Sequence, residues 1–137
     1  MGMILDTSIL IAGERQKEAP EDIFVRVRNV FGPVETAIST ITVVELTHGI
    51  YRAKTPSAQA SRLQFAQSAF RVLIPIPVSF EIAQLAGRIE GQQAANGIAI
   101  PTADLLIGAT ALHLGFDLAT HNTRHFQLIS GLSVVTI

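Results

Sequence analysis

Short apolar runs alternate along the chain with longer stretches in which apolar residues recur every three or four positions. The short runs end in polar or turn-forming residues, which is typical of buried strands. The longer stretches are typical of helices with one buried face. This pattern predicts strands at residues 2–6, 36–39, 72–76, 117–120 and 133–136, and helices beginning near residue 9 and covering residues 23–31, 40–53, 58–70, 79–96 and 102–114.

The alternation of strands with helices predicts an α/β fold. Helical crossovers place helices on both faces of a parallel sheet, so we expect a three-layer α/β/α sandwich with a central parallel sheet. A chain of 137 residues suits one domain spanning residues 1–137, whereas a barrel of the same class needs about 250 residues. The periodicity does not determine the order of the strands.

The composition excludes several classes of protein and of metal site. The chain is 48% hydrophobic and 15% charged and has no cysteine, which excludes disulfides and thiolate metal sites and agrees with a cytoplasmic protein. No apolar stretch approaches the ~20 residues of a membrane span, so no membrane association is expected. The net charge of −1 neither indicates nor excludes a nucleic-acid partner.

A carboxylate ends the first apolar run. In a parallel sheet, the residue just past the carboxyl end of a strand borders the crevice in which α/β folds bind ligands. Asp6 therefore becomes a candidate for chemistry, with Thr7 and Ser8 adding hydroxyls beside it. The alternative is structural, since aspartate and serine are also ordinary helix N-cap residues.

Two further acids lie within apolar helical stretches. Glu45 could instead lie at the boundary of its helix with solvent or pair with His48, and Asp104 could serve only the dipole of the helix that it opens. A buried, unpaired carboxylate is costly, and a divalent cation relieves that cost. If Asp6, Glu45 and Asp104 face one crevice, they supply the hard oxygen ligands that Mg²⁺ or Mn²⁺ prefers.

The run beginning at Leu118 ends in polar residues and should open onto the same edge of the sheet as Asp6. Asn122 follows this strand, where an Asx-turn or a cap is the structural alternative. Two histidines flank this asparagine, and His121 is expected to be a surface residue. His125 stands three residues after Asn122.

Four segments, in this order, resemble those of PIN-domain proteins, and specifically the VapC-type toxins of bacterial toxin–antitoxin pairs. They are ILDTSILIAGER, STITVVELTHGIYRA, GIAIPTADLLIGATAL and LATHNTRHFQLISGL. The resemblance implies a PilT N-terminus fold and a ribonuclease that depends on Mg²⁺ or Mn²⁺. It assigns catalysis to Asp6, Glu45, Asp104 and Asn122.

The chain departs from the family at one position. Where many PIN domains carry a fourth acid, it has His125, which puts a second metal site in doubt. We expect Asp6 and Asp104 to bind the metal, with Glu45 as a ligand directly or through water, and a bound metal lowers the pKa of its water. Asn122 would orient these groups. Thr7, Ser8 and His125 are expected beside the substrate, and the hydroxyls of Thr7, Ser8 and Thr120 are expected to support the ligands.

The resemblance also implies partners. We expect a VapB-like antitoxin whose tail packs on residues 45–53 and 58–70 and places a basic side chain near Asp6 and Asp104, an RNA substrate, and a homodimer. The alternative function is a catalytically weakened PIN fold that only binds RNA or protein. A haloacid-dehalogenase-like phosphatase fits poorly, because it requires an acid where this chain has Ser8.

Overall fold

One parallel sheet organises the molecule. The computed structural model describes residues 1–137, and its five strands lie side by side in the order β3-β2-β1-β4-β5. All neighbouring pairs run parallel. The strands are β1 (Gly2–Leu5), β2 (Glu35–Ser39), β3 (Ile74–Ile76), β4 (Asp117–Ala119) and β5 (Val134–Val135).

Seven helices connect and cover these strands. They are α1 (Thr7–Arg15), α2 (Pro20–Phe31), α3 (Thr40–Tyr51), α4 (Pro56–Val72), α5 (Phe80–Ala95), α6 (Thr102–Leu114) and α7 (Thr123–Phe126). Three of these helices have a hydroxyl residue as N-cap. The side chains of Ser39, Thr55 and Ser79 accept hydrogen bonds from backbone N–H groups of α3, α4 and α5, respectively. Gly115 ends α6 in a left-handed conformation at φ 68°.

The alternation of side chains along the strands separates two apolar cores. On β1, Ile4 belongs to a core with α5, α6 and α7, whereas Met3 and Leu5 belong to a core with α1, α2 and α4. Successive strand residues point to opposite faces, so a strand buried on both faces reads as a continuous apolar run. This arrangement confirms the predicted three-layer α/β/α sandwich.

The ends of several elements differ from the prediction. The first helix begins at Thr7, directly after Asp6, and extends to Arg15, with Gly13 packed closely against the side chain of Ile23. Residue 72 belongs to α4, so the third strand is limited to Ile74–Ile76 at the edge of the sheet. Its proline is tolerated there because an edge strand leaves backbone N–H groups unpaired. The short helix α7 was not predicted.

None of the helices combines the length and apolar character that a membrane crossing requires.

Candidate functional site

The sheet topology brings the first candidate residue beside a threonine from a distant part of the chain. β1 and β4 are neighbours, so Asp6 and Thr120 follow their carboxyl ends side by side. Oδ2 of Asp6 accepts hydrogen bonds from Ser8 Oγ and Thr120 Oγ1, each at 2.7 Å. Asp6 occupies the N-cap position of α1, but its carboxylate makes no capping bond. The capping interpretation of this side chain is therefore wrong.

The two hydroxyls that hold Asp6 are themselves held by the turn after β4. The backbone N–H of His121 donates to Ser8 Oγ at 3.1 Å, and that of Asn122 donates to Thr120 Oγ1 at 2.9 Å. Each hydroxyl thus accepts from the backbone and directs its single proton at the carboxylate. This network fixes the orientation of Asp6, which is only 5% exposed.

Glu45 projects from α3 toward the start of α1. The hydroxyl of Thr7 donates to Glu45 Oε1 at 2.6 Å and lies 2.9 Å from the Thr42 hydroxyl. The geometry makes Thr7 the donor toward both oxygens, and because it has a single hydroxyl proton, Glu45 and Thr42 are alternative acceptors, of which the carboxylate is the nearer. Glu45 forms no ion pair with His48, so the predicted pairing is wrong, whereas the predicted position at the boundary with solvent is confirmed because the residue is exposed.

The electrostatics of Glu45 link it to both other acids. Desolvation by the surrounding protein raises the pKa of Glu45 above its usual value, and the negative charges of Asp6 and Asp104 raise it further. The hydrogen bond from Thr7 acts in the opposite direction. Glu45 is therefore close enough to both Asp6 and Asp104 for their charges to disfavour its ionisation, although the three acids come from separate parts of the chain.

Asp104 lies in the first turn of α6, as the dipole interpretation expects, but it also has a specific partner. Its Oδ2 lies 2.7 Å from Nδ1 of His125, and the two side chains are 20% and 28% exposed. The short helix α7 carries His125 to this position. The histidine that replaces a fourth acid is thus in direct contact with one of the remaining acids.

The carboxylates share one pattern of hydrogen bonding. Each commits one oxygen to protein donors, and the second oxygens accept no hydrogen bond from the protein: these are Asp6 Oδ1, Glu45 Oε2 and Asp104 Oδ1. Oriented carboxylates with a free oxygen are suited to bind a hard divalent cation. No three His, Asp or Glu side chains form a close ligand group, so the fit to a metal rests on the oriented carboxylates and their free oxygens.

The remaining predicted residues have different surroundings. Asn122 is exposed and precedes α7, but its side chain makes no capping bond, so the capping alternative is wrong. His121 is exposed, as expected. Thr7 and Ser8 direct their hydroxyls at Glu45 and Asp6. The prediction missed the contact of Thr42 with Thr7, although the place of Thr42 three residues before Glu45, on the same helical face, was a usable signal.

Known proteins resemble this chain over nearly its whole length. The family model of the PIN domain matches residues 3–132. Ribonuclease VapC1 of Rickettsia felis is 33% identical over 137 residues, covering 100% of this chain and 97% of the relative. Ribonuclease VapC of Rickettsia bellii is 31% identical with the same coverage. The tRNA(fMet)-specific endonuclease VapC of Shigella flexneri is 28% identical over 129 residues, covering 94% of this chain and 92% of the relative.

Solved structures share the fold. VapBC-1 from nontypeable Haemophilus influenzae aligns with a TM-score of 0.83 and 25% identity, covering 99% of this chain and 98% of that one. VapBC2 from Rickettsia felis, bound to a promoter DNA fragment, aligns with a TM-score of 0.83 and 23% identity, covering 100% and 99%. The family model spans nearly the whole chain, and two relatives are more than 30% identical to it. The chain belongs to the PIN-domain family and, within it, to the VapC ribonucleases.

Proposed function

We propose that the protein is the toxin of a type II toxin–antitoxin pair and that it hydrolyses RNA phosphodiester bonds with the help of Mg²⁺ or Mn²⁺. The observation that carries the proposal is the edge of the sheet where Asp6, Glu45 and Asp104 interact, each with one oxygen held by the protein and one free. We also infer that residues 1–137 form a single PIN domain, because all five strands belong to one sheet.

Each residue then has a distinct task. Asp6 and Asp104 would hold the metal ion with their free oxygens, and Glu45 would join them directly or through a water molecule. The bound ion supplies an activated water and polarises the phosphate. Thr7, Ser8 and Thr120 keep the carboxylates oriented, which is how outer partners tune a metal site. We therefore assign Thr7 and Ser8 to positioning rather than to direct contact with substrate.

Two residues remain for the substrate. His125 uses Nδ1 for Asp104, and its Nε2 makes no hydrogen bond with the protein. We assign Nε2 to a contact with a substrate phosphate. The side chain of Asn122 also makes no hydrogen bond with the protein, and it lies at the turn that supports Ser8 and Thr120. We assign it to orienting the attacking water or the phosphate.

The proposed partner is a VapB-like antitoxin. The solved neighbours of this fold include several VapBC complexes. We propose that the antitoxin tail packs on α3 and α4 and places a basic side chain near Asp6 and Asp104, where opposite charge favours it. A homodimer and a cytoplasmic location, where RNA is available, complete the proposal. Exposed apolar side chains on α3 and α5, including Val44, Tyr51 and Phe80, offer surface for a second copy.

A cleavage assay with mapped RNA ends tests the function. The purified chain should cleave RNA when Mn²⁺ or Mg²⁺ is supplied, and Asp6→Asn should abolish cleavage because it removes a metal ligand. Asp117→Asn is the matched control, since Asp117 is the first residue of β4 and so lies at the amino ends of the strands, away from the carboxylates. Equal activity in both variants would refute the carboxylate site. Binding of RNA without cleavage under any metal would favour the binding-module alternative.

A further inference from the structure

A groove leads away from the carboxylate site between α1, α3 and α4. It encloses about 490 Å³ and has Glu45 in its wall, so it is continuous with the proposed active site. A volume of this size is within the range of pockets that hold small-molecule ligands. The groove therefore offers room for an extended ligand that also reaches the carboxylates.

Positive side chains dominate the groove. Four of the chain's ten Lys and Arg residues line it, namely Arg15, Arg52, Lys54 and Arg62, against two acids, Glu14 and Glu45. None of the four cations forms a salt bridge. In a chain with a net charge of −1, this concentration of unpaired cations marks a local site for negative charge.

One of these cations is held in place while the others remain exposed. Arg62 donates from its guanidinium to the carbonyl oxygen of Gly49 at 2.6 Å and keeps further N–H donors for a ligand. Burial raises the pKa of Glu14, and the charges of Arg62 and Arg15 oppose that rise, so the acid lies among cations. Arg52 and Lys54 lie exposed near the turn between α3 and α4.

Apolar side chains also line the groove. Ile11, Leu46 and Phe65 are among them and are partly buried. A groove lined by both cations and apolar or aromatic groups suits single-stranded RNA, because cations bind the phosphates while aromatic and apolar groups contact the bases. We propose that this groove binds the RNA segment next to the cleaved bond, with phosphates at Arg52, Lys54 and Arg62 and a base against Phe65.

This inference rests on the proposed function, and the shared residue favours RNA over other anionic partners. An acidic peptide would also find cations and apolar surface here. However, an RNA strand whose phosphodiester lies at the carboxylates necessarily continues as further phosphates on either side of that bond. Glu45 belongs both to the carboxylate site and to the groove wall. The groove is therefore the adjoining surface that has the charge to receive those phosphates.

Equilibrium binding of a labelled oligouridylate tests the proposal. Fluorescence anisotropy of the full chain is measured over a range of salt concentrations, with a chelator present so that no RNA is cleaved. The variant Arg52→Ala/Lys54→Ala should bind at least about ten-fold more weakly, and its log–log salt slope should fall in magnitude by about 1.4, since each phosphate contact on a single strand contributes about 0.7.

A matched variant controls for the loss of two charges. Arg71 and Arg88 are exposed and lie outside the groove, so Arg71→Ala/Arg88→Ala should leave affinity and slope unchanged. Arg52→Lys/Lys54→Arg keeps both charges and should preserve the slope. Melting temperatures check that the variants fold, and cross-linking of 5-iodouridine RNA should map to the peptide containing Phe65.

The outcomes separate the groove from the catalytic function. If the groove variant binds and cleaves RNA as the wild type does, the groove proposal is overturned and the ribonuclease function stands. If no preparation cleaves RNA but the groove variant alone loses oligouridylate binding, the groove proposal stands without the catalytic one. Loss of affinity for an oligoglutamate peptide with unchanged oligouridylate binding leaves the groove to the antitoxin tail proposed to pack on α3 and α4, and overturns the RNA proposal.

Discussion

Asp6 and Glu45 carry the same chemical group at one edge of the sheet, yet the protein holds them in different ways. Asp6 follows a central strand, is 5% exposed, and receives two hydroxyl protons on one oxygen. Glu45 projects from a helix, is exposed, and receives one hydroxyl proton from Thr7. A strand end gives a carboxylate a fixed position, whereas a helix leaves the longer glutamate side chain room to adjust. We therefore expect Asp6 to anchor the metal and Glu45 to adapt to it.

The expected difference between Asp6 and Glu45 is tested most directly by removing the charge of each residue and measuring metal binding. A metal present at about a hundred times its Kd adds about 2.7 kcal/mol to the free energy of unfolding by mass action. Asp6→Asn should erase most of the rise in melting temperature that Mg²⁺ or Mn²⁺ causes, whereas Glu45→Gln should erase only part of it. A full metal-induced rise in Asp6→Asn would show that Asp6 is not a ligand.

The support of Asp6 by hydroxyls can be tested without changing any charge. Thr120→Val keeps the shape of the buried side chain but removes the proton donated to Asp6 Oδ2 and the acceptor for the Asn122 N–H. Loss of an outer partner typically costs about 10- to 100-fold in activity or metal affinity, so RNA cleavage should fall by about that factor.

Two variants sharpen this test. Thr120→Ser retains the hydroxyl and should restore most of the activity. Thr110→Val removes a buried hydroxyl whose hydrogen bond stays within α6, from Thr110 to the carbonyl of Leu106, and should leave cleavage unchanged. Similar cleavage losses in Thr120→Val and Thr110→Val would indicate a general effect on stability and contradict the positioning role of Thr120.

The smallest expected effect is on the melting temperature, which the charge of Glu45 should lower when no metal is bound. Its pKa in the folded protein is raised above 4.5 by desolvation and by the charges of Asp6 and Asp104. Ionisation of Glu45 therefore destabilises the fold as the pH rises through and above 4.5, and no such penalty exists where the group is protonated in both states. With a chelator at neutral pH, Glu45→Gln should raise the melting temperature by about 1–2 °C, a small gain because solvent screens an exposed carboxylate.

Melting curves of the wild type and Glu45→Gln from acidic to neutral pH check this sign. The difference between them should shrink as the pH falls toward 4.5 and below. Glu90→Gln, an exposed substitution on α5, is the control and should not change the melting temperature. A gain that persists unchanged at acidic pH would mean that packing, not charge, explains the stabilisation.

The amino-acid sequence by itself determined the layers of the fold and the identity of the candidate acids. A strand buried on both faces must be apolar throughout, and a helix on a sheet must repeat its apolar residues with helical spacing, so local pattern reveals both kinds of element. Asp6 is visible for the same reason, because it interrupts an apolar run at the point where a strand ends. The resemblance to a known family then grouped it with Glu45, Asp104 and Asn122.

Only the tertiary structure decided which acid each supporting residue holds. The hydrogen bonds from Thr120 to Asp6, from Thr7 to Glu45 and between His125 and Asp104 join positions 114, 38 and 21 residues apart. No local pattern encodes such pairs, because they depend on the strand order and on the packing of helices across the sheet edge. The same holds for the groove, whose cations come from α1, from α4 and from the turn between α3 and α4. Their positive charge becomes one surface only when the chain is folded, which is why the net charge of −1 gave no sign of it.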